Sequence, residues 1–354
     1  MKLNKLSILA ILIFAISVSC GKKDSNPELS VSHNISNGKI QINDTLKIVV
    51  NGLKINTEQD HLSKLLFTLK SGIKNIELKP INFKNEYHFS LELLSLGKKE
   101  LIIKSKESTV KIAFTLLNDK TPEILDYKII NTFPRQKFNY TQGFEFHNDT
   151  LYESVGQYGK SKLLKVNYKN GQIFKEIKLP TQYFAEGLTI LDDKIHLLTW
   201  KEKVGFIYDT NFNEIKSFNY NLSKEGWGIC NDKKHLYKSD GTEKIWKLDS
   251  ESQNEENYIE VYTDKNKVVG LNELEWINGK IFANRYLFNG IAIINPKNGA
   301  VESVINLSTL KDKVTQHKQL DVINGIAYNS KRKTIFVTGK MWDKVFEIKI
   351  INNE

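Results

Sequence analysis

Hydrophobic and polar residues alternate in short segments along the first third of the chain. Segments such as GKIQINDTLKIVV, YHFSLELL and TVKIAFTLL carry apolar side chains at about every second position and are separated by Gly, Asn, Asp and Lys. This period predicts strands with one buried face, joined by tight turns. We therefore predict a small β-sandwich of the immunoglobulin or fibronectin type over residues 27–120. No cluster of catalytic residue types occurs there, so this region is interpreted as a spacer or adhesion module.

A second pattern, repeated five times, covers residues 123–352. In each repeat a corner of polar and small residues leads into an apolar strand, a tight turn and a second apolar strand. Equivalent positions of the second strands are separated by 44, 41, 45 and 54 residues, and they are Leu151, Ile195, Leu236, Ile281 and Ile335. A period in the forties with several short strands per repeat is typical of a β-propeller. The predicted fold is therefore all-β, a five-bladed β-propeller preceded by the small sandwich.

The fifth repeat shows one strand fewer than the others. The segment EILDYKII, at residues 123–130 and upstream of the first repeat, has the pattern of an outer strand. We predict that it completes the last blade and closes the ring. The sequences NYKNG and NPKNG contain Asn-Gly pairs, which favour the tight turns expected between the third and fourth strands of two blades.

Ring closure would bring residues from distant parts of the sequence to one face of the propeller. The first strand of each blade lines the central channel, so the corners that precede these strands open on the same face. The corner residues are Gln142, Glu186, Glu225, Asn272, Glu273 and Asn324, and the ends of the second strands add Trp200, Asp240, Tyr286 and Lys340. Glu186 needs an explanation, because an acid directly before an apolar strand is rarely buried without a partner or a function.

The first 19 residues have the pattern of a bacterial lipoprotein signal peptide. Lys2 and Lys5 form a charged region before the apolar stretch LSILAILIFAISV, and Cys20 follows this stretch closely. A stretch of this length is too short to span a membrane, which requires about 20 apolar residues. We predict that Cys20 is lipidated, that residues 20–26 form a tether, and that the protein is a periplasmic or outer-membrane lipoprotein of the cell envelope. An ordinary secretory signal is the alternative.

Composition and charge exclude several other functions. The net charge is +10, but the lysines are spread along the chain without a dense basic block, so no nucleic-acid partner is predicted. With Cys20 lipidated, only Cys230 remains, which leaves no internal disulfide. The seven histidines show no metal-binding spacing, which argues against a catalytic zinc ion. A channel ring of Glu, Asn and carbonyl oxygens can hold a hard cation, so a structural calcium ion is a further expectation.

Eight motifs occur in the order found in a known family, and they are FNYTQGF, LYESVGQYGKSKL, YFAEGLT, LTW, EGWG, LNELEW, ING and VTGK-W. Over residues 130–348 the chain resembles the plant and bacterial glutaminyl-peptide cyclotransferases of the papaya type, which are five-bladed propellers. The motifs do not extend into the first 120 residues. The resemblance implies an enzyme that converts the N-terminal glutamine of peptides or proteins to pyroglutamate, releases ammonia and requires no cofactor.

The same resemblance assigns a catalytic role to Glu186. A single carboxylic acid at this position would take a proton from the attacking α-amine and deliver it to the leaving nitrogen. Aromatic surroundings would raise the pKa of this acid toward the working range by desolvation. Trp200 and Trp227 are implied to form an aromatic pocket that favours a neutral amide over a carboxylate, and Phe184 is implied to form part of its wall.

Two positions depart from the family pattern. Tyr140 stands where the family usually has Phe, and Tyr286 stands where it often has Trp, so each adds a hydroxyl that needs a partner. Gln142 and Asn272 match residues that orient the substrate amine and amide. Lys340 matches a residue that either stabilises charge on the substrate carbonyl oxygen or biases the protonation of the catalytic acid.

Two other functions remain open at this stage. One is a propeller that binds peptides without turnover, although a scaffold has no need for an acid, two tryptophans and a lysine together. The other is a calcium-dependent hydrolase resembling the propeller lactonases, which would recruit Glu186, Asn272 and Asp240 as ligands. Cyclisation of glutamine is the leading hypothesis.

Overall fold

Strands make up nearly all of the regular structure in the computed structural model, which describes residues 29–51, 65–81, 86–106 and 108–351. The predicted signal peptide, the lipidation site Cys20 and the tether lie outside these residues. Within the described ranges, no helix is both long enough and apolar enough to cross a membrane.

The first eight strands form a β-sandwich. Their bounds are Ser30–His33 (β1), Lys39–Gln41 (β2), Thr45–Asn51 (β3), Leu66–Ser71 (β4), Lys74–Glu77 (β5), Tyr87–Ser90 (β6), Gly97–Lys104 (β7) and Thr109–Leu117 (β8). One sheet has the strand order β1-β3-β6 and the other β2-β8-β7-β4-β5, and among these described strands only the β2–β8 pair is parallel. Residues of both sheets, such as Ile48 and Leu101, are fully buried in one core, as the alternating sequence pattern predicts.

Residues 108–351 hold twenty further strands, which form five blades of four strands each. Blade 1 contains Thr141–His147 (β10), Thr150–Val155 (β11), Lys162–Val166 (β12) and Ile173–Lys178 (β13), and blade 2 contains Ala185–Leu191 (β14), Lys194–Thr199 (β15), Val204–Asp209 (β16) and Glu214–Asn219 (β17). Blade 3 contains Ile229–Asn231 (β18), His235–Ser239 (β19), Lys244–Asp249 (β20) and Glu255–Glu260 (β21), and blade 4 contains Leu271–Ile277 (β22), Lys280–Arg285 (β23), Gly290–Ile294 (β24) and Val301–Asn306 (β25).

Blade 5 contains Ile323–Asn329 (β26), Thr334–Gly339 (β27) and Lys344–Ile351 (β28), and its outer strand is Glu123–Pro134 (β9). A 3-10 helix at Ser308–Lys313 lies between blades 4 and 5 and accounts for the longer last repeat. The five repeats predicted from the sequence therefore correspond to the five blades.

Several tight turns of blades 1 and 4 use residues that tolerate a left-handed backbone. Asn148 and Asp149, between the first two strands of blade 1, have φ values of 48° and 61°. The two predicted Asn-Gly turns place Gly171 and Gly299 at φ values of 71° and 83°. Asn, Asp and Gly carry the smallest penalty in this region of backbone space, so these short hairpins form without strain from bulkier side chains.

The ring is closed by β9, which joins two blades. Its residues 126–134 pair antiparallel with β28, with Asp126 opposite Ile351 and Pro134 opposite Lys344. Its first residues, Glu123 to Leu125, pair in parallel with β25 of blade 4. The predicted closing strand at 123–130 is therefore confirmed, and it extends further than the sequence pattern indicated.

A buried arginine locks the closure on the side of the first blade. The Arg135 guanidinium donates to the carbonyl oxygen of Gly339, the last residue of β27, at 2.9 Å and to that of Trp342, in the turn that follows, at 3.1 Å. The same group donates to Thr141 Oγ1 at 2.6 Å and forms an ion pair with the Glu153 carboxylate of β11. Arg135 therefore ties the start of blade 1 to the end of blade 5.

The sandwich packs directly against the propeller. Tyr262 and Ala300 of the propeller belong to the buried core of the sandwich. The Glu260 carboxylate accepts a hydrogen bond from the Lys98 backbone N at 2.8 Å. At Gly97 a Cβ atom would lie 2.2 Å from the Glu260 carboxylate, so a glycine is required for this contact. Side chains of the propeller thus pack in the core of the sandwich and bond to its backbone.

We predict that replacing Arg135 with Met destabilises the protein strongly. The change leaves the buried Glu153 carboxylate without its counterion, and breaking such a pair by removing one partner costs about 3–5 kcal/mol. Denaturant unfolding monitored by tryptophan fluorescence measures the loss, and Arg135→Met with Glu153→Leu should recover a large part of it.

The control for this experiment is Lys331→Met, which breaks the exposed pair between Lys331 and Asp149. Exposed pairs contribute about 1 kcal/mol or less, so this variant should unfold almost as the parent does. Equal unfolding midpoints for the Arg135 and Lys331 variants would contradict the assigned role of Arg135 in ring closure.

Candidate active site

The amino-terminal ends of the inner strands meet at one face of the propeller, where a cavity of about 220 Å³ opens. All five blades contribute to it, because inner strands start at this face and second strands end there. Its lining residues are Tyr140, Gln142, Phe184, Glu186, Trp200, Trp227, Asn272, Tyr286 and Lys340. These nine residues are the ones that the sequence analysis assigns to catalysis or substrate binding, so the topology brings that whole set together.

A β-bulge recurs where the inner strands enter the cavity. In blades 1, 2, 4 and 5 the inner strand contains one more residue than the second strand at this point, and the irregular stretches include Gln142, Glu186, Asn272 and Asn324. A bulge breaks the alternation of a strand and re-aims a side chain. It places three of these polar side chains, Gln142, Glu186 and Asn272, on the cavity.

A glycine next to the bulge of blade 2 lets two inner strands approach closely. A Cβ atom on Gly187 would lie 2.7 Å from the Cα of Gly228 in the neighbouring blade. The backbone N of Gly187 donates to the Trp227 carbonyl oxygen at 2.6 Å. The corner that carries Glu186 is thereby joined to the corner that carries Trp227.

Aromatic rings in edge-on contact form the walls of the cavity. The centroids of Tyr140 and Phe184 are 6.3 Å apart, and those of Phe184 and Trp200 are 5.5 Å apart. On the opposite side the Trp227 and Tyr286 centroids are 5.9 Å apart. Edge-to-face contacts of this kind are favourable between aromatic rings. The walls are therefore two arcs of rings separated by two gaps.

Lys340 fills one gap. Its Nζ atom lies 4.6 Å from the centroid of the Tyr140 ring and 5.7 Å from that of Tyr286, which is the range of cation–π attraction. The side chain is buried, and burial lowers the pKa of the Lys340 ammonium, while the negative charges of Glu186 and Asp321 oppose this change. Lys340 is thus a desolvated cation facing the cavity.

Glu225 bridges the other gap, although it is not one of the nine lining residues. Its Oε2 atom accepts hydrogen bonds from the indole Nε1 atoms of Trp200, at 2.7 Å, and of Trp227, at 2.8 Å. The sequence analysis places Glu225 at the mouth but assigns no role to it. The EGWG motif contained the only available signal, an acid two residues before a tryptophan.

Glu186 lies at the base of the cavity and is 5% exposed. Its Oε1 atom accepts a hydrogen bond from Gln142 Nε2 at 2.9 Å. The amide oxygen of Gln142 in turn accepts a hydrogen bond from Asn324 Nδ2 at 3.2 Å, which fixes the orientation of the Gln142 amide. Asn324 therefore stands behind the cavity and supports it, although the sequence analysis placed this residue at the mouth.

The surroundings of Glu186 shift the pKa of its carboxyl group upward. Burial raises the pKa of the Glu186 carboxyl well above its usual value, and the negative charges of Glu225 and Glu202 raise it further. The positive charge of Lys340 lowers the pKa but does not cancel the effect of burial. A carboxyl group with a raised pKa can both accept and donate a proton near neutral pH.

Asn272 offers a free acceptor to a bound molecule. Its side chain is 3% exposed, and its Oδ1 atom has no hydrogen-bond partner within the described part of the chain. A buried polar atom without a partner is costly, so such an atom in a binding cavity indicates a group that a ligand satisfies. An amine or amide N–H group would satisfy it.

The two tyrosines that depart from the family pattern differ in their hydroxyl partners. The Tyr140 hydroxyl donates to Asp321 Oδ2 at 3.1 Å, and Asp321 precedes the inner strand of blade 5. Tyr286 is 38% exposed, so its hydroxyl lies near solvent at the rim. No motif identified Asp321 in the sequence, because it serves the site only through Tyr140.

Besides Glu225 and Asn324, two further residues that the sequence analysis placed at the mouth do not line the cavity. Glu273 lies next to Asn272 in the bulge of blade 4, and its carboxylate accepts hydrogen bonds from the backbone N atoms of Phe144 and Ile326, at 3.3 and 2.8 Å. Asp240 accepts a hydrogen bond from Trp246 Nε1 at 2.7 Å and faces the surface of its own blade. Both placements were wrong, because the direction of a side chain at a corner cannot be read from the repeat.

The set of calcium ligands expected for a lactonase is not assembled. Glu186 and Asn272 line the cavity, but Asp240 does not. In the part of the chain that the structure describes, no group of three His, Cys, Asp or Glu residues is arranged to hold a metal ion. The structural calcium ion therefore stays a prediction without a ligand set among the described acidic residues.

Two larger clefts, each of about 330 Å³, lie elsewhere. One separates the sandwich from blade 3 and is lined by charged residues that include Lys99 and Glu260. The other lies between the outer parts of blades 2 and 3 and includes His196. Neither combines a buried acid with aromatic walls, which are the features that suit the cavity at the propeller mouth for chemistry.

Comparisons with known proteins agree with this geometry. The family model described as glutamine cyclotransferase matches residues 101–350, so the match begins within β7, earlier than the motifs. The chain is 37% identical over 236 residues to a glutaminyl-peptide cyclotransferase of Arabidopsis thaliana, across 66% of this chain and 73% of that protein.

A solved structure gives the same result. The crystal structure of the Myxococcus xanthus glutaminyl cyclase matches with a TM-score of 0.60 at 29% identity. The match covers 65% of this chain and 98% of that chain. The resemblance inferred from eight motifs is confirmed, and the chain belongs to the glutamine cyclotransferase family.

Proposed function

We propose that this chain cyclises the N-terminal glutamine of peptides and proteins to pyroglutamate with release of ammonia. The observation that carries the proposal is the position of Glu186, a buried carboxyl with a raised pKa at the base of an aromatic cavity. The names of the relatives support the same reaction. A non-catalytic peptide binder would gain nothing from burying an acid in this way, because burial of a charge is costly.

The reaction joins two parts of one residue. The α-nitrogen forms a bond with the side-chain amide carbon, the bond from that carbon to the amide nitrogen breaks, and ammonia leaves. Because both reactants belong to the same glutamine, holding the curled conformer lowers much of the barrier. The aromatic arcs that contain Phe184 and Trp227 provide the walls for this conformer.

Proton transfer is the remaining requirement. The Glu186 carboxylate takes one proton from the α-amine as the new bond forms and delivers it to the leaving nitrogen, so the acid returns to its starting state. The free Oδ1 atom of Asn272 can accept a hydrogen bond from the substrate amine. Gln142 keeps the carboxyl oriented through its 2.9 Å hydrogen bond.

Lys340 is assigned to the substrate carbonyl oxygen. Negative charge develops on that oxygen during attack, and a desolvated cation stabilises it far better than water does. Among the ion pairs of the described residues, none includes Lys340, so its ammonium is available to a ligand. The second role suggested by the sequence, biasing the protonation of Glu186, is compatible with this one.

The cavity would discriminate against N-terminal glutamate. Its walls are mostly aromatic, and Glu186, Glu225 and Glu202 lie around it. A substrate carboxylate would enter this low-dielectric region close to three acidic groups, whereas the neutral glutamine amide would not be repelled.

We predict that replacing Glu186 with Gln removes the proton shuttle. The amide cannot accept the proton of the α-amine, so kcat should fall by about 10²–10⁴-fold while the fold is retained. Ammonia release from a Gln-initiated peptide, confirmed by mass spectrometry of the product, measures the effect. Glu176→Gln, the same change on the outer strand of blade 1, is the matched control. Activity near the parent value in the Glu186 variant would contradict the shuttle assignment.

We further predict that a chelator does not abolish the reaction. The proposed mechanism uses Glu186 and Lys340 and routes no step through a metal, so EDTA treatment followed by dialysis should leave kcat for a Gln-peptide unchanged. A lactone substrate tested in parallel should not be hydrolysed. Loss of cyclisation in the chelator, restored by calcium, would instead favour a metal-dependent function. A lower melting temperature with intact activity would point to the structural calcium ion.

A second part of the proposal concerns the cellular location. We propose that Cys20 carries a lipid anchor and that the enzyme acts on exported peptides or proteins in the cell envelope. The apolar stretch before Cys20 and the polar residues after it support this proposal. No contact with nucleic acid is proposed.

We predict that Cys20→Ser moves the protein from the membrane fraction to the soluble fraction and abolishes labelling by a radioactive fatty acid. Lipid attachment needs the thiol at the processing site, so the other cysteine cannot replace it. Cys230→Ala is the matched control, because Cys230 is buried in the propeller and should not carry a lipid. Retained labelling in the Cys20 variant would rule out the anchor.

A further inference from the structure

On one side of the cavity a carboxylate joins the two indoles, Trp200 and Trp227, that border the gap in the aromatic wall. Among the described ring contacts, none links Trp200 directly to Trp227. One oxygen of Glu225 accepts the N–H groups of both side chains, at 2.7 and 2.8 Å. Hydrogen bonds to a carboxylate are stronger than those between neutral groups, so this oxygen restrains both rings.

We propose that Glu225 is a positioning residue of this enzyme, which clamps both indoles and so fixes the width of the substrate cavity. The proposal rests on the function proposed above, because that function makes the cavity the site of glutamine binding. It goes beyond that function because it states that Glu225, which is not one of the nine lining residues, sets the positions of two of them, Trp200 and Trp227.

The clamp is itself anchored in the core of blade 3. The Glu225 carbonyl oxygen accepts hydrogen bonds from Lys238 Nζ and Ser223 Oγ, each at 3.3 Å. Lys238 forms an ion pair with Glu255 at 2.6 Å, and both side chains are fully buried. The backbone at Glu225 is therefore held in place by buried side chains of blade 3.

A glycine holds the other side of the same corner. The backbone N of Gly226 donates to the Trp200 carbonyl oxygen at 3.0 Å. A Cβ atom at Gly226 would lie 2.4 Å from the Tyr220 hydroxyl, so the corner packs closely against the end of blade 2. Glu225 cannot move away from the indoles without disturbing this packing.

The charge of Glu225 has a second effect on the site. Among the ion pairs within the described residues, none includes Glu225, so no basic partner neutralises it. Its negative charge raises the pKa of Glu186, in the same direction as burial. The other ionisable groups that interact with Glu186 are Lys340, Glu202, Tyr140, Tyr158 and Tyr220.

Two variants of Glu225 separate the clamp from the charge. In Glu225→Gln the amide oxygen can still accept both indole N–H groups, but the charge is gone. In Glu225→Ala both the acceptor and the charge are gone. Glu202→Gln is the matched control, because it removes a charge near Glu186 while Glu202 bonds to the Tyr158 hydroxyl at 2.7 Å and to neither indole.

We predict that Glu225→Ala raises KM for a Gln-peptide by about 10- to 100-fold, as expected when two charge-assisted hydrogen bonds are lost. Glu225→Gln should restore KM to within about 3-fold of the parent, which corresponds to loss of charge assistance alone.

In Glu225→Gln and in Glu202→Gln the acidic limb of the pH profile of kcat/KM should move to lower pH, because removing a neighbouring negative charge lowers the pKa of Glu186.

A spectroscopic readout tests the clamp independently of turnover. Near-ultraviolet circular dichroism of the tryptophans should weaken in Glu225→Ala and stay unchanged in Glu202→Gln.

Trp200→Phe and Trp227→Phe each remove one N–H donor and keep a ring, so each should raise KM less than Glu225→Ala does. These variants also keep the proposal testable if the alanine variant does not fold.

Parent values of KM and of the tryptophan spectrum in Glu225→Ala would overturn the proposal. A spectrum that changes equally in Glu202→Gln would also overturn it, because the effect would not be specific to the clamp. Failure of the proposed function is a different result, in which the parent protein releases no ammonia from a Gln-peptide. The spectra of the Glu225 variants would still decide whether the clamp exists.

Discussion

Pairing of β9 with β28 is the interaction on which the site depends. The propeller is a ring, and every residue of the cavity belongs to a blade whose position is set by its neighbours. Without the closing strand, blade 5 would have an open edge and Lys340 would have no fixed position relative to Tyr140. Arg135 reinforces the same junction from the inside by hydrogen bonding to blades 1 and 5. The geometry of the cavity thus depends on the pairing of β9 with β28, which closes the ring.

The bulges convert this scaffold into a site. A regular inner strand would direct alternate side chains at the neighbouring blades and bury them there. In blades 1, 2 and 4 the extra residue instead turns Gln142, Glu186 and Asn272 toward the cavity. The aromatic walls then exclude water, which raises the pKa of Glu186 and strengthens the effect of each nearby charge. A carboxyl group with a raised pKa in this position suits the proton transfer proposed for Glu186.

The sequence predicted the blades, the closing strand and the nine residues of the cavity, because each depends on a repeated pattern or on a motif. It did not predict the directions of Glu273 and Asp240, which are set by local hydrogen bonds that leave no periodic trace. The clamp formed by Glu225 was also missed, since two indoles meet on one oxygen only in the folded ring. The partner of Tyr140, Asp321, lies 181 residues away and belongs to no motif.

The shared core of sandwich and propeller has a consequence for how the chain can be divided. Tyr262 and Ala300 lie among the apolar side chains of the sandwich, and Glu260 caps a backbone N–H of β7. Cutting the chain between the two regions would expose an apolar patch at Tyr262 and Ala300 on the surface of the propeller. It would also leave the Glu260 carboxylate without the backbone N–H of Lys98. The sandwich therefore packs as part of the same structural unit as the propeller, and the two should unfold in a single cooperative transition.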